Sequence, residues 1–425
     1  MKHTLPFFLI LLVALADGCD RRSRAVSATG GCDESIKLPE GFCATVFAES
    51  AGPVRHLAVR KNGDVIAGVL DQRRTRGGLV VLRDTNHDGH ADLEARVGEE
   101  GVHGVALGSD SSLYVSTATS VLHYRFGADL APNPRYDTLI TGLPQRRPQS
   151  HSLAIDPRNN LIVNIGAASE GCQPTPTPNT PGRDPCPELD STGGLWSFRT
   201  DQTMQGLRNG VRIATGLHNA VALTVNPRDT SVYAVSHGRD MLHEFWPALY
   251  SDLDGATAAA EEMIRVASMR ADYGWPYCYY SYFANQRVVA PEYGGDKHQT
   301  TRCGRQIQPL TVFPAHWAPM AMLFYTGTAF PPAYRTGVFV AFHGSALRAP
   351  LPQEGYVVAY VAFKDGLPAG ETQIFANGFA GGMMSPEGAE HRPTGLAQDA
   401  AGALYVSDDK GGRIWKITWR GAGKD

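Results

Sequence analysis

Seven histidines mark the borders of short apolar runs in this 425-residue chain, and imidazole is the side chain best suited to moving protons near neutral pH. His103, His151 and His218 each precede such a run, His237 follows one, and His316, His343 and His391 stand at comparable edges. No H-x-H or H-E-x-x-H pair is among them. That turns the reading from a zinc site towards general-base and hydrogen-bonding roles on a polyanionic or carbonyl-rich ligand. Two arginines at the same kind of edge, Arg348 and Arg392, offer fixed forks for carboxylates. A second chemistry lies in Asp84-Thr85-Asn86-His87-Asp88-Gly89-His90-Ala91-Asp92. Oxygens from Asp84, Asn86 and Asp88, the carbonyl of His90 and the carboxylate of Asp92 suit a hard cation, so a structural Ca²⁺ clip is expected there. The EF-hand's closing Glu is replaced by Ala95 and no helix pattern flanks the loop, which places the clip between strands.

The elements that must hold these groups repeat. An apolar strand, a short turn and a second apolar strand recur from His56, Gly104, Ser152, Ala222, Leu323 and Gly395, the first three starts being 48 residues apart. Such a repeat predicts an all-β, six-bladed β-propeller with long inserted loops. In that architecture residues distant in sequence meet at one mouth of the central channel. The wider later spacing puts insertions at Ser169–Gly193 and around Tyr273–Gly304, each framed by cysteines. Ala256–Met269 is the one stretch read as helical. Trp275, Tyr277, Tyr279 and Trp317 can stack on a sugar face or a ring, or fill the core.

The bulk properties narrow the field further. A net charge of −3 gives no reason to expect nucleic acid. There is no dinucleotide fingerprint, Walker A sequence or G-x-S-x-G elbow. Residues 1–19 read as an export signal, with a short apolar run from Leu5 to Ala16 and two competing ends, Ala14-Leu15-Ala16 and a degenerate lipobox at Gly18-Cys19. Of the seven cysteines, lipidation of Cys19 leaves six for an oxidising compartment, and local spacing suggests Cys32–Cys43, Cys172–Cys186 and Cys278–Cys303 among other pairings. Residues 20–31 form a polar tether and 32–420 the propeller. The expected location is the periplasm, with membrane contact through a lipid anchor alone; a soluble, secreted form is the other reading.

Leu38-Pro39-Glu40-Gly41-Phe42, Ala214-Thr215-Gly216-Leu217-His218-Asn219, Asp272-Tyr273-Gly274-Trp275-Pro276-Tyr277-Cys278, Phe342-His343-Gly344-Ser345 and Arg392-Pro393-Thr394-Gly395-Leu396 together resemble the glucose/sorbosone dehydrogenase family. The similarity is to its L-sorbosone dehydrogenase-like branch. It implies a six-bladed propeller binding pyrroloquinoline quinone (PQQ) and Ca²⁺ at the channel mouth, a sugar or aldehyde substrate, and an electron acceptor such as cytochrome c or a membrane quinone. It also implies that His151 is the catalytic base, that Asn219, His237, Arg348 and Arg392 contact the cofactor, and that carbonyls of Gly238 and Arg239 bind its Ca²⁺. His218 falls where the family carries an arginine against the quinone carbonyl. A histidine can replace that charge when protonated, and a nearby Ca²⁺ is expected to lower its pKa. Two rival functions remain open at this point: a Ca²⁺-dependent lactonase-like hydrolase in which His151 activates water, and a carbohydrate-binding lipoprotein without catalysis.

Overall fold

The computed structural model describes residues 31–72, 75–145 and 151–421. The expected signal peptide, Cys19 and nearly all of the tether lie outside them. Six sheets, antiparallel but for a short parallel pairing of Val211–Thr215 with Ala271–Asp272, form the blades, and all six predicted hairpins are the two innermost strands of a blade. The innermost strands are Val54–Val59, Gly104–Leu107, Leu153–Ile155, Asn219–Val225, Pro319–Phe324 and Pro393–Gln398. Each packs on the next, and the last packs on the first, which closes the ring. The sixth blade is completed from the other end of the chain. Phe42–Ala48 pairs with Ile414–Trp419 as its outer strand, so the two ends of the domain are tied in one sheet.

Apolar packing lies between blades. Phe339, Tyr360, Phe375 and Trp415 fill the space between the fifth and sixth, and Tyr233, Met263, Phe313 and Phe342 that between the fourth and fifth. Near the axis the strands approach too closely for side chains. A Cβ on Gly104 would sit 2.7 Å from the carbonyl oxygen of His151, and one on Gly395 2.9 Å from the amide of Leu57.

Two local outcomes differ in standing. All three cysteine pairs favoured by spacing are bonded. The helix expected over 256–269 is not there. A short helix at Asp252–Thr257 starts on Ser251, whose hydroxyl caps the Asp254 amide, and Glu261–Arg265 is instead the third strand of the fourth blade. It pairs on both sides, with Val232–His237 and with Thr311–Phe313. Paired backbone and the inward burial of Met263 and Ile264 outweigh a modest helical propensity.

Candidate active site

At one end of the channel each innermost strand begins and its partner strand ends. Around that rim, hydrogen bonds pass from blade to blade. Asp71 accepts from Gly101 N–H, and Ser116 Oγ donates to the His151 carbonyl. Asn164 donates its amide to Asn219 Oδ1 at 3.0 Å, and His237 Nε2 donates to the Pro319 carbonyl at 2.9 Å. His343 Nε2 meets Asp409 Oδ1 at 2.7 Å, and Thr394 Oγ1 donates to the Val54 carbonyl at 2.7 Å. The hairpin borders singled out in the sequence are thus one continuous wall.

Above the third and fourth blades the two insertions pack on each other. Trp275 Nε1 donates to the Glu170 carbonyl at 2.9 Å, and Tyr277 Oη accepts from the Cys186 amide. Together they roof a small cleft, open to solvent and lined by Glu170, His218, His237, Gly238, Arg239 and Trp275 among others. Buried charge surrounds it. Glu170 Oε2 lies 3.2 Å from His218 Nε2 and also accepts from the Asp240 amide at 2.7 Å. Arg239 pairs with Glu292 at 2.6 Å, and Trp246 Nε1 donates to the other oxygen of Glu292. Glu261 takes the amides of Gly238 and Ala318, joining the fourth blade to the fifth. Burial pushes its carboxyl up to about 7.

Burial works against the charge of His218, but the attraction and hydrogen bond of Glu170, with help from Asp240, raise its pKa to about 9. The pairing with Glu170 favours the imidazolium, and Nδ1 is buried with no hydrogen-bond partner. His151 has the opposite character. Burial pushes it below its ordinary value, while Nδ1 faces the Asn164 carbonyl at 3.1 Å and Nε2 that of Ala118 at 3.2 Å. His237 falls to about 4 by burial and is neutral.

Across the channel Arg392 donates to the carbonyls of His343 and Gly344, close to a second arginine, Arg55, which pairs with Asp409 at 2.6 Å. Arg348 is placed elsewhere. Its guanidinium is spent on the Ala315 carbonyl and on Glu354, pinning the loop after His343 rather than facing the cleft. His316 bridges Asp240 and the Gly255 carbonyl, and His391 pairs with Asp408. The aromatic residues are chiefly packing. Trp275 lines the cleft, Tyr279 bonds Tyr250, and Trp317 donates to Glu354.

The loop of Asp84, Asn86, Asp88, His90 and Asp92 does not gather as a metal centre. Asp84 accepts the amides of Asp88 and Gly89, Asp88 that of His90, and Asp92 that of Thr85. The His90 ring turns away to the Val46 carbonyl. The oxygens tie the turn to itself, and among the described residues no cluster of three acidic, His or Cys side chains is arranged for a metal. Gly238 and Arg239 fare differently. Among the described residues neither carbonyl oxygen accepts a hydrogen bond, and a Cβ on Gly238 would lie 2.7 Å from the carbonyls of Ala259 and Ala260.

Fold and rim define a six-bladed propeller with a charged cleft over its channel mouth, the architecture expected from the dehydrogenase resemblance. The chain belongs to the TrAA12-like family, whose model matches residues 36–420. Among curated proteins it is 23% identical to a pyrroloquinoline quinone-dependent sugar dehydrogenase of Hypocrea jecorina, over 74% of this chain and 73% of that protein. It is also 24% identical to an uncharacterised protein of Borreliella burgdorferi over 65% of this chain, a match that spans 62% of that relative, less than two thirds of its length. Similar solved structures include the holo form of the pyranose dehydrogenase PQQ domain from Coprinopsis cinerea, with TM-score 0.72 and 18% identity over 90% of this chain and 97% of that one. A calcium structure of the Trichoderma reesei family AA12 enzyme gives the same figures. The apo soluble aldose sugar dehydrogenase of Escherichia coli gives TM-score 0.61 and 16% identity, covering 89% of this chain and all of that one.

Sequence reasoning missed Glu170, Glu292, Glu261, Arg55 and Asp409. The last two were within reach, because they stand at hairpin borders beside His56 and Asp408.

Proposed function

We propose that this protein is a quinoprotein that oxidises an aldose or sugar aldehyde, glucose- or sorbosone-like, with PQQ and Ca²⁺ bound at the channel mouth. The reading is carried by the buried, unpartnered Nδ1 of His218 beside a cleft lined by Arg239, Glu170 and Glu262, in a chain of this family. The donor set suits an anionic, carbonyl-bearing cofactor. His218, Asn219 and His237 line one side, Arg392 and Arg55 carry the charge that carboxylates require, and the carbonyls of Gly238 and Arg239 would hold the cation. Arg348, committed to Glu354, has no part in it.

PQQ, when bound, supplies the acceptor for the hydride that leaves the sugar carbon. His151 takes the proton of the substrate hydroxyl. Burial keeps the ring neutral, as a base must be, and two carbonyls flank its two nitrogens. Both nitrogens meet carbonyls in this structure, so the substrate hydroxyl would have to take the place of the Ala118 carbonyl at Nε2 to deliver its proton. His218 keeps its positive charge through Glu170 and offers Nδ1–H where negative charge develops.

We further propose export to the periplasm with lipid on Cys19, which would hold the enzyme beside a cytochrome c or a membrane quinone as electron acceptor. Mass spectrometry of the mature N-terminus checks this: a diacylglyceryl-Cys19 is expected, and an unmodified residue 17 at the start would contradict it. For the activity, purified protein is loaded with PQQ and Ca²⁺ and offered a panel of aldoses with a dye. Aldose-dependent dye reduction is expected, and His151→Ala should lower it by ~10²–10⁴-fold. Lactone hydrolysis without PQQ, and no dye reduction, would overturn the reading.

A further inference from the structure

The rim loops of blades four to six carry exposed apolar side chains that the chemistry at the channel mouth does not use. Each second strand ends at the mouth, so the loops after Val232–His237 and Gly337–Phe342, and the loop before Pro393–Gln398, stand on that side. Met241 and Leu253 belong to the first of them, Leu347 to the second, and Met383 and Met384 to the third, every one exposed. Phe283, 65% exposed at the tip of the hairpin of Cys278–Ser281 and Gln286–Val289, joins them where the Tyr282 amide donates to the Ala258 carbonyl at 2.8 Å. The loops are tied to one another. Met241, Gly255 and Leu347 line one small depression, and Tyr356 packs on Ala380 and Ala389 while its hydroxyl donates to the Ser345 carbonyl. The two methionines are not loose ends. Lys410 Nζ donates to the carbonyls of Pro386 and Glu387, and the Ser385 hydroxyl and carbonyl take the amides of Gly388 and Ala389. In blades one and two the exposed large apolar side chains among the described residues are Leu93 and Tyr136, both on outer strands. An apolar belt held in the open by ordered backbone marks an interaction surface.

The place where the chain enters the domain identifies the occupant. Residues 20–31 lead from Cys19 to the sixth blade, where Cys32 is bonded to Cys43 and Asp33 pairs with Arg413 and accepts from Trp415 Nε1. Lys37 then bridges Asn377, at the foot of the loop that carries Met383 and Met384. Residues 20–31 reach at most about 40 Å when extended, so a lipid on Cys19 keeps a bilayer within reach of this side of the domain. A few apolar side chains are then sufficient, because the anchor makes the second contact intramolecular.

We propose that the belt is a membrane-docking surface: Met241, Leu253, Phe283, Leu347, Met383 and Met384 enter the headgroup boundary of the bilayer that holds Cys19 and turn the channel mouth towards it. The inference rests on the lipid-anchored reading and deepens it. The mouth then opens towards quinone dissolved in the bilayer. Glu244 and Asp252 share the depression with Met241, and Arg348 beside Leu347 is paired with Glu354. Apolar contact, rather than attraction to anionic headgroups, therefore holds the surface.

The test uses the mature, lipidated chain on nanodiscs of phosphatidylethanolamine and phosphatidylglycerol, with and without a nitroxide-bearing lipid, read by methyl NMR of isotope-labelled methionine. The nitroxide should broaden Met241, Met383 and Met384. Met204 and Met269, exposed at the opposite end of the channel, should stay sharp. The double variant Phe283→Glu/Leu347→Glu should lose the broadening while its lipid keeps it on the disc. Equal broadening at both ends, or a double variant that broadens like the wild type, would overturn docking and leave the anchor alone. No broadening, with Met383 and Met384 moving on addition of a soluble cytochrome c instead, would give the belt to a protein partner and overturn it too. A mature N-terminus without lipid on Cys19 would overturn the anchored reading, and this inference with it.

Discussion

Blades one and two run from strand to strand through short connections, whereas blades three and four each break off, after the inner hairpin, into a disulfide-framed insertion before an outer strand completes the sheet. Both halves keep the inner-strand geometry, so both bring side chains to the rim. The difference is in what stands above it. In the plain half, the buried acid Asp64 is met by Arg60 and Arg83 of its own sheet, and the cluster serves that blade. In the decorated half, acids from the insertions reach across elements: Glu170 to His218, Glu292 to Arg239 and Trp246. A propeller hairpin supplies position, and here the insertions supply the electrostatics of the site.

If the insertions are part of the core of the decorated half, breaking them should unfold more than a loop. The largest effect is expected from Glu292→Ala. It leaves Arg239 charged and buried, and should cost about 3–5 kcal/mol in denaturant-unfolding free energy; a cost under 1 kcal/mol would mean that water reaches Arg239. Replacing Cys172 and Cys186 by Ser opens a 14-residue separation and should cost about 3 kcal/mol, together with the order of Glu170 and hence the unusual protonation of His218. Retention of that protonation would show that the roof stands without its bridge.

A pH series sharpens the same contrast. The folded pKa of His218 is raised, so its contribution to stability is complete below about 6.5 and is lost as pH rises towards about 9. Glu170 is held below its ordinary value, burial opposing and His218 and Arg239 favouring the charge, so its share is lost as pH falls below the carboxylate range. Melting temperature should therefore decline between pH 7 and 9.5 in the wild type, and that slope should flatten in Glu170→Gln; an equal slope in both would place its origin elsewhere. The smallest effect belongs to the plain half. Arg76 and Glu99 form an exposed pair at 2.6 Å, and Arg76→Ala should change stability by less than about 0.5 kcal/mol in the same unfolding assay.

The contrast also explains what could be read in advance. The six hairpins were legible because each carries its own period and turn, and the disulfides because cysteine is scarce and its spacing local. His151, His218-Asn219, His237 and Arg392 were legible as rim positions because strand borders repeat with the blades. Arg348 misled, because a basic residue near a rim strand says nothing of Glu354, six residues on, which claims it. At the Asp84–Asp92 loop the alternating oxygens that suit a cation meet the amides of a tight turn in this structure. Glu170 and Glu292 carried no period at all. Their partners are set by how two insertions pack together, and that is a tertiary fact.

The most direct measurement of the central claim is a crystal structure of the protein soaked with PQQ and Ca²⁺. The account predicts cofactor density at the channel mouth, with one carbonyl oxygen on His218 Nδ1, carboxylates towards Arg392 and Arg55, and the cation on the carbonyls of Gly238 and Arg239. Density confined to the outer surface, or a cation bound at Asp84–Asp92 with an empty channel mouth, would contradict it.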